Sequence, residues 1–223
     1  MVEDEPVEDE PMVETTAQAA DRTWRPGIRG DLDRLLSGRG TVGALPSRRA
    51  MLRRVVTRPG PMAVALYRAG HWLWVRDHEL AAELLWRLNV TLTGADIHPG
   101  AEIGGGFKVV HTVGLTIARG TKIGRDVMIL HGVTLGGSGR SYVDPTFADG
   151  PPTIGDDTLI WAGAKVLGPV TVGRACRIGA NAVLAHDLPD GSTFNAGEGA
   201  RRLEARVAEL ERRLEMLSGE APG

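Results

Sequence analysis

The chain is poor in aromatic residues and contains one cysteine among its 223 residues. Aromatic side chains account for only 4% of the sequence, so the 42% of hydrophobic residues must build a core that is mainly aliphatic. The single cysteine, Cys176, excludes an intramolecular disulfide framework and a metal site made of clustered cysteines. We therefore expect a cytoplasmic protein, from a reducing compartment, that carries no metal.

Long apolar segments are also missing, and the charge is unevenly distributed. No apolar run approaches the roughly 20 residues of a membrane span, and the N-terminus is acidic where a signal peptide would be basic. Residues 1–20 carry seven acids and no base, which predicts a disordered acidic tail over residues 1–21. We favour a solubilising tail over a partner-binding arm. The remaining net charge of +5 has no interleaved aromatic residues, so we expect neither nucleic acid nor a membrane as partner.

The spacing of apolar residues predicts an N-terminal helical domain over residues 22–93. Between residues 47 and 93 leucines recur at helical intervals, as at Leu66 and Leu73. We expect two or three helices, with breaks at the Pro-Gly-Pro sequence of residues 59–61 and at Gly70.

A period of six residues dominates the second half of the chain. Aliphatic residues recur every six positions, apart from one shift of two residues and one longer insertion, and 21 of the 30 glycines fall within residues 94–199. No helix has a strict period of six, whereas a triangular parallel β-solenoid with three short strands per coil does. A second small or branched residue, such as Val113, stands four positions after most anchors and is expected to point inward. We predict a β-solenoid over residues 94–195 with thirteen inward anchors: Ile97, Ile103, Val109, Ile117, Ile123, Ile129, Leu135, Ile154, Ile160, Val166, Val172, Ile178 and Leu184.

Four motifs resemble those of the serine O-acetyltransferases. They read HWLW at 71–74, DIHPGA at 96–101, ILHGVTLGG at 129–137 and AGAKVLGP at 162–169. The resemblance implies an α + β-solenoid fold, in which an N-terminal helical domain precedes a left-handed parallel β-helix of the hexapeptide-repeat acyltransferase type. It also implies a homotrimer or a dimer of trimers, with acetyl-CoA bound as acyl donor in a groove between neighbouring β-helices.

The same resemblance implies a catalytic pair. A histidine at the position of His111 is the general base of that family, and an aspartate at the position of Asp96 orients it. Such a pair suits acyl transfer because a neutral alcohol is a poor nucleophile, and an imidazole with a pKa near 6.5 can take its proton as the oxygen attacks the thioester. Cys176 follows Val172 at an inward position, so we expect a buried side chain and direct transfer without an acyl-cysteine intermediate.

The cofactor-binding positions follow from the resemblance as well. Backbone N–H groups near Gly136, Gly137 and Ala162, together with Ala180, are expected to hold the cofactor and the developing oxyanion. Arg177 stands where the family has a basic residue that can meet a CoA phosphate. A solvated corner charge is an equal alternative for Arg177.

Three departures from the family concern the acceptor pocket. Val110 replaces an aspartate immediately before the base, residues 150–152 read Gly-Pro-Pro in place of Arg-His-Pro, and residues 45–46 read Leu-Pro in place of Asp-Pro. The family grips serine with these charges, and a zwitterion without counter-charges binds poorly. We therefore expect transfer to another hydroxyl compound, unless the longer loop over residues 138–153 restores a charge. A true serine acetyltransferase of cysteine biosynthesis and a non-catalytic trimeric scaffold remain the alternatives.

The C-terminus predicts an amphipathic helix over residues 200–218. Its apolar residues follow a 4-3-4-3 spacing, which is typical of a short coiled-coil seam. Packing of this helix on its own subunit remains the alternative. The chain ends in Ala-Pro-Gly and lacks the terminal isoleucine with which family members dock into cysteine synthase, so we do not expect that complex. The seam consists of Leu203, Val207, Leu210, Leu214 and Leu217.

Overall fold

A computed structural model describes residues 48–139, 143 and 149–218 of the chain. The predicted acidic tail of residues 1–21 and the Leu-Pro pair of residues 45–46 lie outside these residues. Within these described residues, three helices precede a β-solenoid and one helix follows it. The helices are α1 (Arg48–Thr57), α2 (Pro59–Trp74), α3 (Glu79–Thr93) and α4 (Glu198–Ser218).

The solenoid consists of three parallel sheets that the chain visits in turn, through about five coils. Strands of two or three residues suffice because each strand pairs in register with the strands of the coils before and after it. Sheet 1 contains β1 (Ala95–Ile97), β4 (Leu115–Ile117), β7 (Thr134–Gly136), β10 (Lys165–Leu167) and β13 (Val183–Leu184). Sheet 2 contains β2 (Glu102–Ile103), β5 (Lys122–Ile123), β8 (Thr153–Ile154) and β11 (Thr171–Val172). Sheet 3 contains β3 (Lys108–Val109), β6 (Met128–Ile129), β9 (Leu159–Ile160), β12 (Arg177–Ile178) and β14 (Thr193–Phe194).

The interior of the solenoid confirms the six-residue repeat. All thirteen predicted anchors are buried, with at most 4% of any residue exposed. The second small or branched residues of the repeat are buried as well, with the exception of Val113. The buried ones are Thr121, Val127, Val133, Thr158, Ala164, Val170, Cys176 and Ala182. Val113 is 74% exposed, so its predicted inward position is wrong. Leu115 is buried next to it, two residues later than the repeat predicts.

The exception arises from a longer turn between sheets 3 and 1. Strand partners are 20 residues apart between β3 and β6, but 18 residues apart between β4 and β7. The path from Val109 to Ile117 is therefore two residues longer than the matching path from Ile129 to Leu135. These extra residues displace Val113 into solvent, and His111 is exposed on the same turn.

Helix α2 covers the open edge of the first coil. The Tyr67 hydroxyl donates to the Ala101 carbonyl at 2.7 Å, and the Arg68 guanidinium donates to the carbonyls of Ile103 and Gly104. His71 Nδ1 donates to the Pro99 carbonyl at 2.8 Å. Carbonyls that would otherwise lack a partner strand are thereby satisfied.

The predicted helix break at Gly70 is wrong. Helix α2 runs through Gly70 and begins with Pro59 at a position where the missing N–H costs nothing. The break after α2 lies instead between Val75 and His78, where Asp77 adopts a positive φ of 60°. No helix in the described part of the chain is long and apolar enough to cross a membrane.

Candidate functional site

His111 lies on the longer turn, at the corner between sheets 3 and 1. Its side chain is exposed, and its ring lies 5.8 Å from that of His131 at an interplanar angle of 71°. The turn itself is fixed, because the buried Thr112 hydroxyl donates to the Thr93 carbonyl and the Gly114 N–H donates to the Gly94 carbonyl. An accessible imidazole is thus held on an anchored backbone.

Four residues share the same corner in successive coils. The register of sheet 3 aligns Val109, Ile129, Ile160 and Ile178, and the residues two positions later are His111, His131, Ala162 and Ala180. Adjacent coils are about 4.8 Å apart, so His111 and Ala180 are separated by about 14 Å along the solenoid axis. We call this row the imidazole corner. Three predicted site residues, His111, Ala162 and Ala180, therefore lie in one line.

Small residues keep the imidazole corner accessible. Gly114, Gly132 and Gly163 each have a positive φ close to 70°, and Asn181 occupies the next coil with a φ of 54°. Residues other than glycine, asparagine and aspartate are strained in this backbone conformation. The turns therefore carry small residues at these positions and stay narrow. The Ala162 carbonyl accepts from the Asn181 N–H at 2.9 Å, which fixes the backbone between two coils.

Asp96 lies on β1, on the outer side of sheet 1, opposite Thr116 in the strand register. One of its oxygens, Oδ1, accepts a hydrogen bond of 2.8 Å from Trp86 Nε1 of α3. Among the described residues, the Asp96 side chain makes this one hydrogen bond, and no hydrogen bond joins it to the His111 side chain. The structure therefore brings the predicted pair to the same end of the solenoid without bonding the two side chains.

A cluster around His98 adjoins Asp96. The His98 ring contacts Trp74 and Trp86 edge-on or tilted, with centroid distances of 5.2 and 4.9 Å, and its Nδ1 accepts from the Gly100 N–H. Burial lowers the pKa of His98 from its usual 6.5, and the positive charge of Arg119 acts in the same direction. The neutral imidazole is thereby favoured beside the carboxylate.

The other predicted cofactor residues lie elsewhere on the solenoid. Gly136 is the last residue of β7, at the end of that strand that points away from the imidazole corner, and Gly137 follows it. The Gly136 carbonyl accepts from the Gly168 N–H. Arg177 is exposed on β12 of sheet 3, three residues before Ala180. Within one chain, Gly136 and Gly137 are therefore not on the imidazole corner.

Asp149 fixes the base of the long loop that follows Gly137. Its Oδ1 accepts from the N–H groups of Ser138 and Gly150, and its Oδ2 accepts from the N–H of Gly139. Residues 140–142 and 144–148 of this loop lie outside the described residues, so a charge supplied by the 138–153 loop stays a prediction.

Cys176 is fully buried, and its thiol donates to the Pro189 carbonyl with a sulfur–oxygen distance of 3.1 Å. Burial raises the pKa of this thiol, and the nearby Asp190 carboxylate adds to the effect. A protonated, buried thiol is a poor nucleophile. In the described part of the chain, no group of three or more His, Cys, Asp or Glu side chains is arranged to hold a metal ion.

Two neighbours of the predicted pair have no role assigned from the sequence. His131 belongs to the motif at 129–137 and follows Ile129 as His111 follows Val109, so the sequence leaves it open between a functional residue and a structural corner residue. The bond of Trp86 to Asp96 joins a helix to a strand. Nothing in the periodicity of either element signals that contact.

The chain resembles known proteins over its helical and solenoid parts. Residues 151–186 match the family described as bacterial transferase hexapeptide (six repeats). The chain is 44% identical over 144 residues to the serine acetyltransferase of Mycobacterium tuberculosis, covering 65% of this chain and 61% of that protein. It is 44% identical over 148 residues to the serine acetyltransferase of Helicobacter pylori strain J99, covering 66% of this chain and 84% of that protein.

A solved structure shows the same likeness. The serine acetyltransferase of Brucella abortus strain S19 in complex with coenzyme A superposes with a TM-score of 0.63 at 31% sequence identity. The superposition covers 75% of this chain and 63% of that one. The chain thus spans less than two thirds of the M. tuberculosis and B. abortus proteins, and a larger share of the H. pylori protein.

Proposed function

Because the chain belongs to the serine acetyltransferase family, we propose that it transfers the acetyl group of acetyl-CoA to the hydroxyl group of serine. The observation that carries the proposal is the exposed imidazole of His111 on an anchored turn. A second histidine and two small residues follow it in line along the same corner. The coenzyme A complex of the B. abortus relative supports acetyl-CoA as the donor.

In the proposed reaction His111 is the general base. The imidazole removes the proton of the acceptor hydroxyl while the oxygen attacks the thioester carbonyl. The C–S bond then breaks, and CoA leaves as the thiol after the imidazolium returns the proton. The buried, protonated Cys176 supports direct transfer between the two substrates.

Asp96 is proposed as the carboxylate that stabilises the imidazolium of His111. Trp86 binds Oδ1 of this carboxylate, so Oδ2 remains available for the histidine. Formation of the pair requires a side-chain rotation on substrate binding, because the two groups make no hydrogen bond in the structure. Catalytic hydrogen bonds commonly tighten only once substrate is bound.

The cofactor is proposed to lie along the imidazole corner, with its thioester at His111. The narrow turns at Ala162 and Ala180 leave room for the extended arm of CoA, and the exposed Arg177 is available for a phosphate. Gly136 and Gly137 lie at the end of β7 that points away from the imidazole corner, so they can reach the same cofactor only from a neighbouring subunit. We therefore place the site between subunits of a trimer or of a dimer of trimers.

Serine is the proposed acceptor because the relatives carry that name, whereas none supports the other hydroxyl compound that the sequence favoured. Val110 is the departure that lies next to His111, and its side chain is 37% exposed. The Gly150 N–H is bound to Asp149, and this segment offers no positive side chain among residues 149–152. Another basic group must then bind the carboxylate of serine. The assay of acceptors tests whether serine is used despite this departure.

Thiol release from acetyl-CoA tests the proposal with serine and with a panel of hydroxylated metabolites. We expect serine to be the preferred acceptor and O-acetylserine to be found by mass spectrometry. His111→Ala should lower the rate by about two to four orders of magnitude. His78→Ala, at an exposed histidine between α2 and α3, is the matched control and should keep full activity.

The outcomes separate the two parts of the proposal. Faster turnover of another hydroxyl compound, with loss of activity in the His111 variant, would overturn serine but leave the chemistry in place. Full activity of the His111 variant would remove the assignment of the base. An absence of thiol release with every acceptor would favour the scaffold alternative.

A further inference from the structure

Helix α4 carries an apolar stripe that its own chain leaves uncovered. Val207, Leu210 and Leu214 are 45%, 48% and 65% exposed, although they lie on one face of the helix. No extensive contact joins α4 to another described element. The side chains of Leu203 and Leu217, which would extend the stripe, lie outside the described residues.

The spacing of the stripe gives each residue of α4 a heptad position. Val207 and Leu214 occupy a positions, and Leu210 occupies the d position between them. The flanking positions carry opposite charges, with Arg206 and Arg213 at g and with Glu204 and Glu211 at e. Arg206 and Glu211 are exposed, and neither makes an ion pair among the described residues.

This charge pattern distinguishes the two ways in which copies of α4 can pair. In a parallel coiled coil, a g residue of one helix meets the e residue of the next heptad of the other, so Arg206 meets Glu211. In an antiparallel coiled coil, g meets g and e meets e, which would place arginine against arginine and glutamate against glutamate. The sequence of α4 therefore complements a parallel copy of itself and repels an antiparallel one.

We propose that α4 is a self-association surface, on which α4 of a second copy of this chain packs in parallel and in register. A helix of this length gains most of its stability from the packing of an apolar face, and the described part of the chain leaves about half or more of Val207, Leu210 and Leu214 exposed. The self-complementary charges select a second copy over an unrelated helix. This inference does not depend on the acetyltransferase activity.

Cysteine cross-linking in the full chain tests the arrangement. Val207→Cys and Leu214→Cys are made separately, because a parallel pair brings each of these positions next to itself. Ala205→Cys is the matched control, since Ala205 lies on α4 at the f position that faces away from the seam. Each variant is oxidised under native conditions and alkylated before denaturation, which keeps the buried Cys176 out of the result.

We expect both seam variants to form a disulfide-linked pair of chains and Ala205→Cys to form little. Cross-links that appear only when a Leu210→Cys variant is mixed with the Val207 or the Leu214 variant would indicate an antiparallel pair, in which an a position faces a d position, and would overturn the proposal. Equal cross-linking of the Ala205 control, or none in either seam variant, would overturn it as well. Circular dichroism and activity show whether each variant is folded.

Charge reversal tests the predicted contact between Arg206 and Glu211. In the Leu214→Cys background, Arg206→Glu and Glu211→Arg should each slow cross-linking about two- to fivefold at low salt. The double variant should restore the rate, because the pair is re-formed with its charges exchanged. Arg212→Glu, at an outward position, is the control. Additive slowing in the double variant would contradict the Arg206–Glu211 contact.

Discussion

His98 is held neutral by its surroundings. The rings of Trp74 and Trp86 cover it, Arg119 places a positive charge nearby, and the Gly100 N–H donates to its Nδ1. The carboxylates of Asp96 and Glu83 oppose these effects but do not outweigh them, since the pKa of His98 is lowered from 6.5. Protonation of this ring would therefore disturb the packing between α3 and the first coil.

The free energy of unfolding should fall on acidification because of His98. A histidine whose pKa is lower in the folded state binds its proton first in the unfolded state, so stability is present above pH 6.5 and declines below it. Urea midpoints at pH 7.5 and pH 5.5 measure the decline. His98→Asn keeps an acceptor for the Gly100 N–H and should reduce this decline in stability, whereas His78→Asn should leave the decline unchanged. An unchanged decline in the His98 variant would contradict this origin.

At the residue scale, the sequence motifs single out His111 and Asp96, but no pattern in the sequence predicts what their side chains contact. His111 and Asp96 were identified from motifs, and the aliphatic repeat placed His111 at a corner. The Trp86–Asp96 bond depends on how α3 sits against β1. That orientation follows from tertiary packing, through contacts such as Asn89 Nδ2 to the Ala63 carbonyl, which no local pattern encodes.

The first turn of helix α2 packs closely against the solenoid. Gly60 lies against the carbonyl of Val109, so closely that a Cβ atom there would fall far inside van der Waals contact. Val109 ends β3 and leads into the turn that carries His111. The spacing between α2 and the turn of His111 thus depends on the absence of a side chain at residue 60.

Gly60→Ala should destabilise the protein by about 1–3 kcal/mol, because the backbone of β3 or of α2 must move to admit the methyl group. Gly70→Ala is the matched control on the same helix. There the nearest atom to a new Cβ would be 3.6 Å away, which is ordinary contact, and alanine favours a helix by up to about 1 kcal/mol over glycine. Chemical denaturation measures both. Equal effects of the two substitutions would refute the close approach at Gly60.

The elements themselves were largely predictable from the sequence, and the exceptions have physical causes. The thirteen anchors follow from a period that only the solenoid can use. Val113 departs because two extra residues in its turn break the count. Gly70 was mistaken for a break because glycine is a poor helix former, whereas helix α2 continues through it and leaves room for a methyl group at this position.

At the scale of the whole molecule, a single chain leaves much apolar surface in water. Helix α3 exposes four leucines at intervals of four residues, which places them on one face. An exposed apolar row of this kind, like the stripe on α4, is typical of a surface that contacts another protein. The exposed fractions are 73% for Leu80, 59% for Leu84, 42% for Leu88 and 56% for Leu92.

Sedimentation equilibrium should therefore give three times the mass of the chain or a multiple of it. The expectation of three follows from the proposed site between neighbouring solenoids, to which one subunit supplies His111 and another Gly137. Leu84→Glu should weaken the assembly, whereas Glu83→Gln, at the adjacent position, should not. A monomer or a simple dimer at micromolar concentration would exclude the shared site.

The strand register also determines how the chain can change in length. Partners lie 18 residues apart between β8 and β11, β9 and β12, and β10 and β13. Duplication of residues 153–170 would therefore insert one complete coil and keep every inward residue inward. Helix α4 would move about 5 Å further from His111 along the axis. An inserted residue within a strand would instead turn the following side chains inside out, so evolution can lengthen this protein by whole coils or at its corners.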